Sequence, residues 1–461
     1  MTARPTLAAL MLPLALGACS LAPAYHGPQG AAAPAPAFKA DPGWAVAAPA
    51  DDLAKGPWWQ LFADPALDAL EAKVAVTNQN VAYYRAALAQ AQGAAGAATA
   101  QLFPTVGASA STTRSGNLAS GSPVVRSYGA GASASWVPDL WGRLGNTAGQ
   151  ARAQAQASEA TLANATLSAQ ASLASTYFQL RGVDAQRALL DQTVAGYRRS
   201  REVAGNKYAV GLVSRADLES AETTLANAQA SRRDLERQRA TLENAIAVLV
   251  GENPSSFTLA AATWAPALPE VPAALPASVL QRRPDVATAE RNVAAANAAI
   301  GTARAAFFPE VTLSGSLNSG ASATTALFSA ANSLWSTGAS AALNLLDFGA
   351  RSARVRQARG GFDAALATYR QTVLTAFQEV ENSLAATQAY RAEAADYSHA
   401  AEAAGRAEAI TRNQYAAGVV DYTTVATAQA AAYNARASLI QNSVNRQNAS
   451  VALIQALGGR W

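Results

Sequence analysis

The residue types that most often carry catalysis or bind metals are scarce in this chain of 461 residues. It contains two histidines, His26 and His399, and a single cysteine, Cys19. Neither histidine has a cysteine or a paired carboxylate at metal-ligand spacing, and no nucleophile motif or glycine-rich phosphate loop stands out. These observations argue against an enzyme, and they predict neither a metal ion nor a cofactor.

The position of Cys19 indicates a different chemistry. Arg4 and an apolar run from Leu7 to Leu16 precede the small residues Gly17 and Ala18, and Cys19 follows directly. This order is typical of a bacterial lipoprotein signal, in which cleavage before the cysteine is coupled to lipidation of its thiol. The alternative is a plain signal peptide followed by a buried thiol. We expect residues 1–18 to be removed and Cys19 to carry a covalent lipid, which anchors a chain without spanning the membrane.

The composition narrows the class of protein further. Charged residues make up 14% of the chain, below the roughly 25% of ordinary soluble domains. The net charge of +4 is too small to indicate nucleic acid as a partner. After the signal segment there is no run of about 20 uninterrupted apolar residues, so the sequence predicts no transmembrane helix. Low charge combined with 50% apolar residues suits a protein that packs against copies of itself.

The chain contains two copies of one pattern, offset by slightly more than two hundred residues. The matching segments are Leu102–Val106 with Phe307–Val311, Asp139–Arg143 with Asp347–Arg351, and Lys207–Val213 with Gln414–Val420. A duplication of this length predicts two equivalent halves rather than a solenoid of short repeats.

Each half has the same predicted order of elements: a helix (67–101 or 285–306), two strands, a very long helix (143–206 or 350–413) and a return helix (214–250 or 421–457). Helices of this length favour a coiled-coil-like hairpin over a single globular core. The predicted organisation is a signal peptide (1–18), a lipidated tether (19–57), a first repeat (58–250), a Pro-rich connector (251–284) and a second repeat (285–461). The six prolines of the connector favour extended chain.

Four segments of about ten residues alternate apolar and small polar side chains, as transmembrane barrel strands do. They cover about 103–113, 127–137, 308–318 and 335–346. A half-buried sheet in a soluble domain is the alternative for any one of them. Aromatic residues stand where membrane-interface belts require them: Phe103, Tyr128, Trp136, Trp141, Phe308, Trp335 and Phe348. Because four strands leave two edges open and no open edge can face lipid, closure requires several chains, and three would supply about twelve strands.

Several motifs resemble those of the outer-membrane efflux proteins, in particular the NodT-type lipoproteins similar to OprM and TolC. They are Trp58–Pro65, Asn78–Val81, Leu280–Val286, the duplicated Tyr-x-x-Gly turns and Ala456–Gly459. The resemblance implies an α+β membrane protein: a homotrimer with a twelve-stranded barrel in the outer membrane and a tunnel of helical hairpins in the periplasm. It also implies a periplasmic adaptor and an inner-membrane pump, commonly of the resistance-nodulation-division (RND) class, as partners.

The turns near Gly211 and Gly418 lie, by this resemblance, at the periplasmic mouth, where the helices close and the adaptor docks. Ser214 with Asp217, and Asp421, are expected to cap the returning helices. The acidic and apolar positions that the family often has after the second turn correspond here to Thr427 and Thr423, so the chain departs from that pattern. Polar candidates for the closed state are Asp421, Tyr422, Arg215, Asp217 and Glu219. Ordinary capping and solvated charge is the alternative for each.

The sequence therefore predicts a passive outer-membrane channel through which a tripartite pump exports small molecules. Two other functions stay open: a lipoprotein that bridges the envelope without forming a pore, and a channel for type I protein secretion. The first leaves the alternating hairpins unexplained. The lipoprotein signal and Gln281–Asp285 favour small-molecule efflux over the second.

Overall fold

A computed structural model describes residues 21–25, 27, 57–116, 118, 123–262, 264, 267–269 and 282–459. Cys19, which we predict to be lipidated, most of the predicted tether and the middle of the connector lie outside the described residues. The described part consists of long helices and one four-stranded sheet, which confirms the predicted α+β class.

The helices follow the predicted order in both halves. After a short 3-10 helix at Trp58–Phe62, they are α1 (Pro65–Thr77), α2 (Gln79–Ala100), α3 (Arg143–Ala209), α4 (Arg215–Leu249), α5 (Pro284–Ala305), α6 (Ala350–Ala416) and α7 (Tyr422–Ala456). The long helices α3 and α6 have 67 residues each, and the return helices α4 and α7 have 35 each. No helix in the described part of the chain is long and apolar enough to cross a membrane.

The single first helix predicted at 67–101 was wrong, because the chain breaks at Asn78 between α1 and α2. Asn78 is extended, with φ −64° and ψ 122°. Its side-chain oxygen accepts hydrogen bonds from the backbone of Asn80 and Val81, and its amide donates to the Leu249 carbonyl at 2.7 Å. An asparagine that caps the following helix and bonds a distant carbonyl is more favourable here than in a helix interior.

The four strands form one antiparallel sheet in the order β1-β2-β3-β4. They cover β1 (Thr105–Ser115), β2 (Val125–Trp136), β3 (Glu310–Ala321) and β4 (Ser333–Ala342), within a few residues of the predicted segments. The register places Ala108, Ala132, Leu317 and Trp335 side by side across the sheet. The outer edges of β1 and β4 have no strand partner within the described chain.

The chain divides into two compact units. One unit contains the sheet and the helical segments that flank it, within Ala87–Glu159 and Thr288–Arg370. In this unit, residues 21–25 run along α5. Arg304 donates to the Leu21 carbonyl, Asn297 to the Pro23 carbonyl, and the Tyr25 hydroxyl to the Glu290 carboxylate at 2.7 Å.

The other unit contains the rest of the helical hairpins, within Ala160–Ala287 and Gln371–Trp461, together with residues 57–86. Its main core joins the 3-10 helix and α1 to α3: Phe62 lies 4.9 Å from Phe178 between ring centroids. Asp64 caps α1 and also accepts the Tyr177 hydroxyl at 2.6 Å. The Trp-Trp-Gln-Leu-Phe-Ala-Asp-Pro motif therefore docks the first short helices onto the long one.

Glu71 lies in this core on the same face of α1 as Leu67, Leu70 and Val74, and its side chain is fully buried. Neither of its carboxyl oxygens has a hydrogen-bond partner. Burial, followed by the nearby Asp68 carboxylate, raises the pKa of Glu71 to about 9. The folded protein therefore keeps this side chain protonated and neutral at pH 7.

This burial makes stability depend on pH. The pKa of Glu71 in the folded protein lies above its unfolded value of 4.5. The contribution of neutral Glu71 to the free energy of unfolding is therefore fully present below pH 4.5, and it is lost as the pH rises towards 9. At about 1.4 kcal/mol per pH unit, the loss at pH 7 is on the order of 3 kcal/mol. We expect Glu71→Gln to raise the unfolding midpoint at pH 7 and pH 8 and to change it little at pH 5.

The measurement is thermal unfolding of the detergent-solubilised protein at these pH values. The matched control is Glu202→Gln, which makes the same change on the exposed surface of α3. A Glu71→Gln midpoint that follows wild type at every pH would show that Glu71 does not stay protonated.

Candidate functional site at the helical turns

The two turns between long and return helices are built in the same way. Gly211 and Gly418 have positive φ of 70° and 79°, a conformation that glycine adopts without strain. The Leu212 amide donates to the Lys207 carbonyl at 2.8 Å, and the Val419 amide to the Gln414 carbonyl at 2.9 Å. This bond pattern terminates a helix through a glycine and satisfies its last carbonyls. The duplicated motif thus folds into duplicated turns.

The return helices begin at the predicted caps. Ser214 and Asp217 form a reciprocal capping box at the start of α4. Asp421 accepts the backbone amide of Thr424 at 2.8 Å and also the Thr424 hydroxyl. These hydrogen bonds to the ionised carboxylate lower the pKa of Asp421. Both capping predictions are confirmed.

Among the other polar candidates, Tyr422 packs against Tyr415 of α6, and the rest make contacts only within their own helix. Arg215 pairs with Glu219 one turn further along α4, and both side chains are exposed. The Thr427 hydroxyl donates to the Thr423 carbonyl in α7. None of these contacts joins one hairpin to the other, so a role of these residues in closing a channel stays a prediction.

The two hairpins are joined at the turns by a cluster of side chains that the sequence did not reveal. The Lys207 ammonium, at the end of α3, donates to the Tyr415 carbonyl and lies 4.2 Å from the centre of the Tyr415 ring. Tyr415 packs against Tyr422 with centroids 6.0 Å apart, and both rings are buried. Both Lys207 and Tyr415 belong to the duplicated turn motif. The signal that could have identified them is the asymmetry between the copies, Lys207 in one and Gln414 in the other.

Apolar side chains project from the same turns. Tyr208, Val210 and Leu212 at the first turn, and Val419 at the second, are exposed, three of them by about 70% or more. Exposed apolar side chains grouped at one place are typical of surfaces that bind a partner.

The predicted interface aromatics lie at the strands and their ends. Trp136 donates its indole N–H to the Leu102 carbonyl, and Trp141 donates to the Pro309 carbonyl and stacks on Phe308 at 4.8 Å. Phe103, Trp335 and Phe348 are exposed by 64%, 75% and 92%. Tyr128 is half-buried in β2. Their role at a membrane surface stays a prediction.

The described residues include no group of three or more histidine, cysteine, aspartate or glutamate side chains placed to bind a metal ion. His399, the one histidine within the described ranges, lies within α6.

Comparisons with known proteins, which cover the sheet and both helical turns, point to one family. The model of the outer membrane efflux protein family matches residues 70–252 and 275–459. The solvent efflux pump outer membrane protein SrpC of Pseudomonas putida is 30% identical, over 97% of each chain. The pyoverdine export outer membrane protein OpmQ of Pseudomonas aeruginosa is also 30% identical, over 97% of this chain and 95% of its own.

The solved structure of the outer-membrane channel OprN superposes with a TM-score of 0.87 at 28% identity, covering 96% of this chain and all of its own. The match extends across both repeats, so both the helical hairpins and the sheet are covered. Taken together, the duplicated hairpins, the four-stranded sheet and these similarities show that the chain belongs to the outer membrane efflux protein family and is an outer-membrane component of an efflux system.

Proposed function

We propose that three copies of this chain form the exit duct through which an RND-type inner-membrane pump, joined by a periplasmic adaptor, exports small molecules. The observation that carries the proposal is the four-stranded sheet whose outer edges, on β1 and β4, have no partner in the described chain. In lipid every backbone polar group must be paired, so the edges require strands from other copies. Three copies close a barrel of about twelve strands, within the range of known barrels.

The two faces of the sheet support this orientation. The register puts Val106, Leu313, Leu317 and Trp335 on one face. The opposite face carries mainly serine and glycine, including Ser109, Ser133 and Ser316. One apolar face towards lipid and one polar face towards a water-filled interior is the pattern of transmembrane barrels.

The N-terminal segment supports a lipid on Cys19. Because residues 21–25 run along α5 with Leu21 beside Arg304, the chain approaches the end of α5 nearest to β3 as it nears Cys19. This direction leads towards the sheet that we place in the membrane. A lipid there adds a second anchor to the barrel.

The exposed apolar residues of the turns support docking of an adaptor. Val210, Leu212 and Val419 project where the helices reverse direction, at the end of the hairpins farthest along the chain from the strands. Since SrpC is named for solvents and OpmQ for pyoverdine, the similarities favour small molecules as the exported class.

The number of chains per particle tests the shared barrel. We expect light scattering, corrected for bound detergent, to give three chains per particle, because a single sheet leaves both edges unpaired. Heating in a denaturing detergent is the control and should give one chain. A stable monomer or dimer in mild detergent would contradict the trimer and would favour a lipoprotein that forms no pore.

The contact between Lys207 and Tyr415 suggests how the closed state is maintained. It is a polar contact at the turns that ties the first hairpin to the second, and it combines a hydrogen bond with a cation–π interaction. Loss of a contact of this kind costs about 1 kcal/mol, which corresponds to about a fivefold shift in a two-state equilibrium. We expect Lys207→Ala to raise the resting conductance of the channel in planar bilayers about fivefold.

The matched control is Lys73→Ala. Lys73 is half-exposed and pairs with Glu252 at 2.7 Å. The variant therefore loses the same charge and one ion pair, but at a place that lies away from the turns. Resting conductance that is unchanged in Lys207→Ala, or raised equally in Lys73→Ala, would rule out this contact as a closing element.

A further inference from the structure

Charged residues are rare in the sheet, and their positions are unequal. The four strands carry three of them: Arg114 on β1, Arg126 on β2 and Glu310 on β3. Glu310 lies at the end of the sheet that joins the helices, where it pairs with Arg143 at 2.6 Å. The two arginines lie at the other end, next to the loop that connects β1 to β2. One end of the sheet is therefore neutralised and the other is basic.

The strand register places the two arginines directly opposite each other, in a cross-strand pair of Arg114 with Arg126. Directly opposed residues point to the same face with Cβ atoms about 4.5–5.5 Å apart, and like charges in this position repel. Both side chains are exposed, and within the described residues neither has a carboxylate partner. The connecting segments 116–124 and 322–332 contain no aspartate or glutamate in the sequence. Neither the described residues nor these two connecting segments thus supply an acid that neutralises the pair.

The pair lies on the apolar face of the sheet. Alternate residues of β1 and β2 share a face, so Arg114 and Arg126 lie with Val106, Tyr128 and Trp136. This is the face that we place against lipid. Isolated charges on a lipid-facing surface are unfavourable at the bilayer centre and become tolerable near its interfaces.

The distance along the strand sets the depth of the pair. Ten residues separate Trp136 from Arg126 on β2, about 34 Å at 3.4 Å per residue. With the strand tilt of about 45° that barrels adopt, this corresponds to about 24 Å along the membrane normal. The apolar band of outer-membrane barrels is about 25 Å tall. If Trp136 marks the periplasmic interface, the two guanidinium groups reach the headgroup region of the outer leaflet.

We propose that Arg114 and Arg126 together bind a phosphate of a phosphorylated glycolipid headgroup in the outer leaflet. The inference rests on the proposed function, which sets the orientation of the sheet in the membrane. Two guanidinium groups can donate several charge-assisted hydrogen bonds to phosphate oxygens, and the anion removes their mutual repulsion. The arginine stems lie along the apolar face while the charged ends extend into the headgroups. Three copies provide three such sites around the barrel.

The test is native mass spectrometry of the full-length protein in neutral detergent, titrated with bisphosphorylated lipid A or with the same lipid after removal of its phosphates. At about 1 kcal/mol per basic residue near a charged lipid surface, we expect wild type to bind the phosphorylated form at least about tenfold more tightly. Arg114→Gln with Arg126→Gln should lose this preference, and Arg114→Lys with Arg126→Lys should retain part of it.

The matched control is Arg356→Gln with Arg359→Gln, which removes the same charge from the exposed surface of α6 and should leave the preference unchanged. Equal binding of the two lipids by wild type overturns the inference, whatever the variants do. Loss of the preference in the α6 control also overturns it, because lipid binding would then depend on net charge alone. Complete displacement of lipid A by inorganic phosphate overturns it as well, because the site would then bind a free anion. The same spectra report the number of chains. A trimer without phosphate preference contradicts this inference alone, whereas a monomer contradicts the proposed function.

Discussion

The backbone N–H and C=O groups on the outer edges of β1 and β4 are the groups that one chain cannot pair within its own sheet. Water can satisfy such groups on a soluble protein, but the hydrocarbon core of a membrane cannot. For a protein of the outer membrane, this requirement couples folding to assembly. The proposed barrel, its polar interior and the ring of helical hairpins all depend on edges that meet only between chains. The same architecture accounts for the small side chains on the polar face of the sheet, since serine and glycine leave the interior open.

The duplication provides the second organising constraint. Within one chain, the first long helix contacts the second return helix: Gln429 on α7 donates to Ser200 on α3, and Gly182 on α3 lies where any side chain would meet Val444 on α7. The copies are related but not identical, and the differences carry the specific contacts. Lys207 in the first turn reaches Tyr415 in the second, whereas Gln414 occupies the equivalent position in the second copy.

Charge is distributed in keeping with this architecture. In the helical unit, ion pairs connect neighbouring helices: Asp184 of α3 accepts from Arg239 of α4 at 2.8 Å, and the Arg181 guanidinium is nearly fully buried beside it. In the sheet, the charges are confined to the two ends, Glu310 at one and the arginine pair at the other. Such a distribution keeps unpaired charge out of the apolar band.

Periodicity and duplication in the sequence were sufficient to predict the order of elements, the strand positions to within a few residues, and the turns with their caps at Ser214 and Asp421. These features are local, because helix ends, glycine turns and alternating strands are determined by residues close together along the chain. The break at Asn78, the burial of Glu71 and the contact of Lys207 with Tyr415 could not be read from the sequence. Each depends on a segment more than a hundred residues away. The break at Asn78 depends on the Leu249 carbonyl, the burial of Glu71 on a core shared with α3, and the Lys207 contact on the second turn. The sequence by itself therefore determined the architecture and the family. Only the tertiary structure decided which side chains meet between the repeats and which sheet face carries the arginine pair, because packing and strand register set the distances between these side chains.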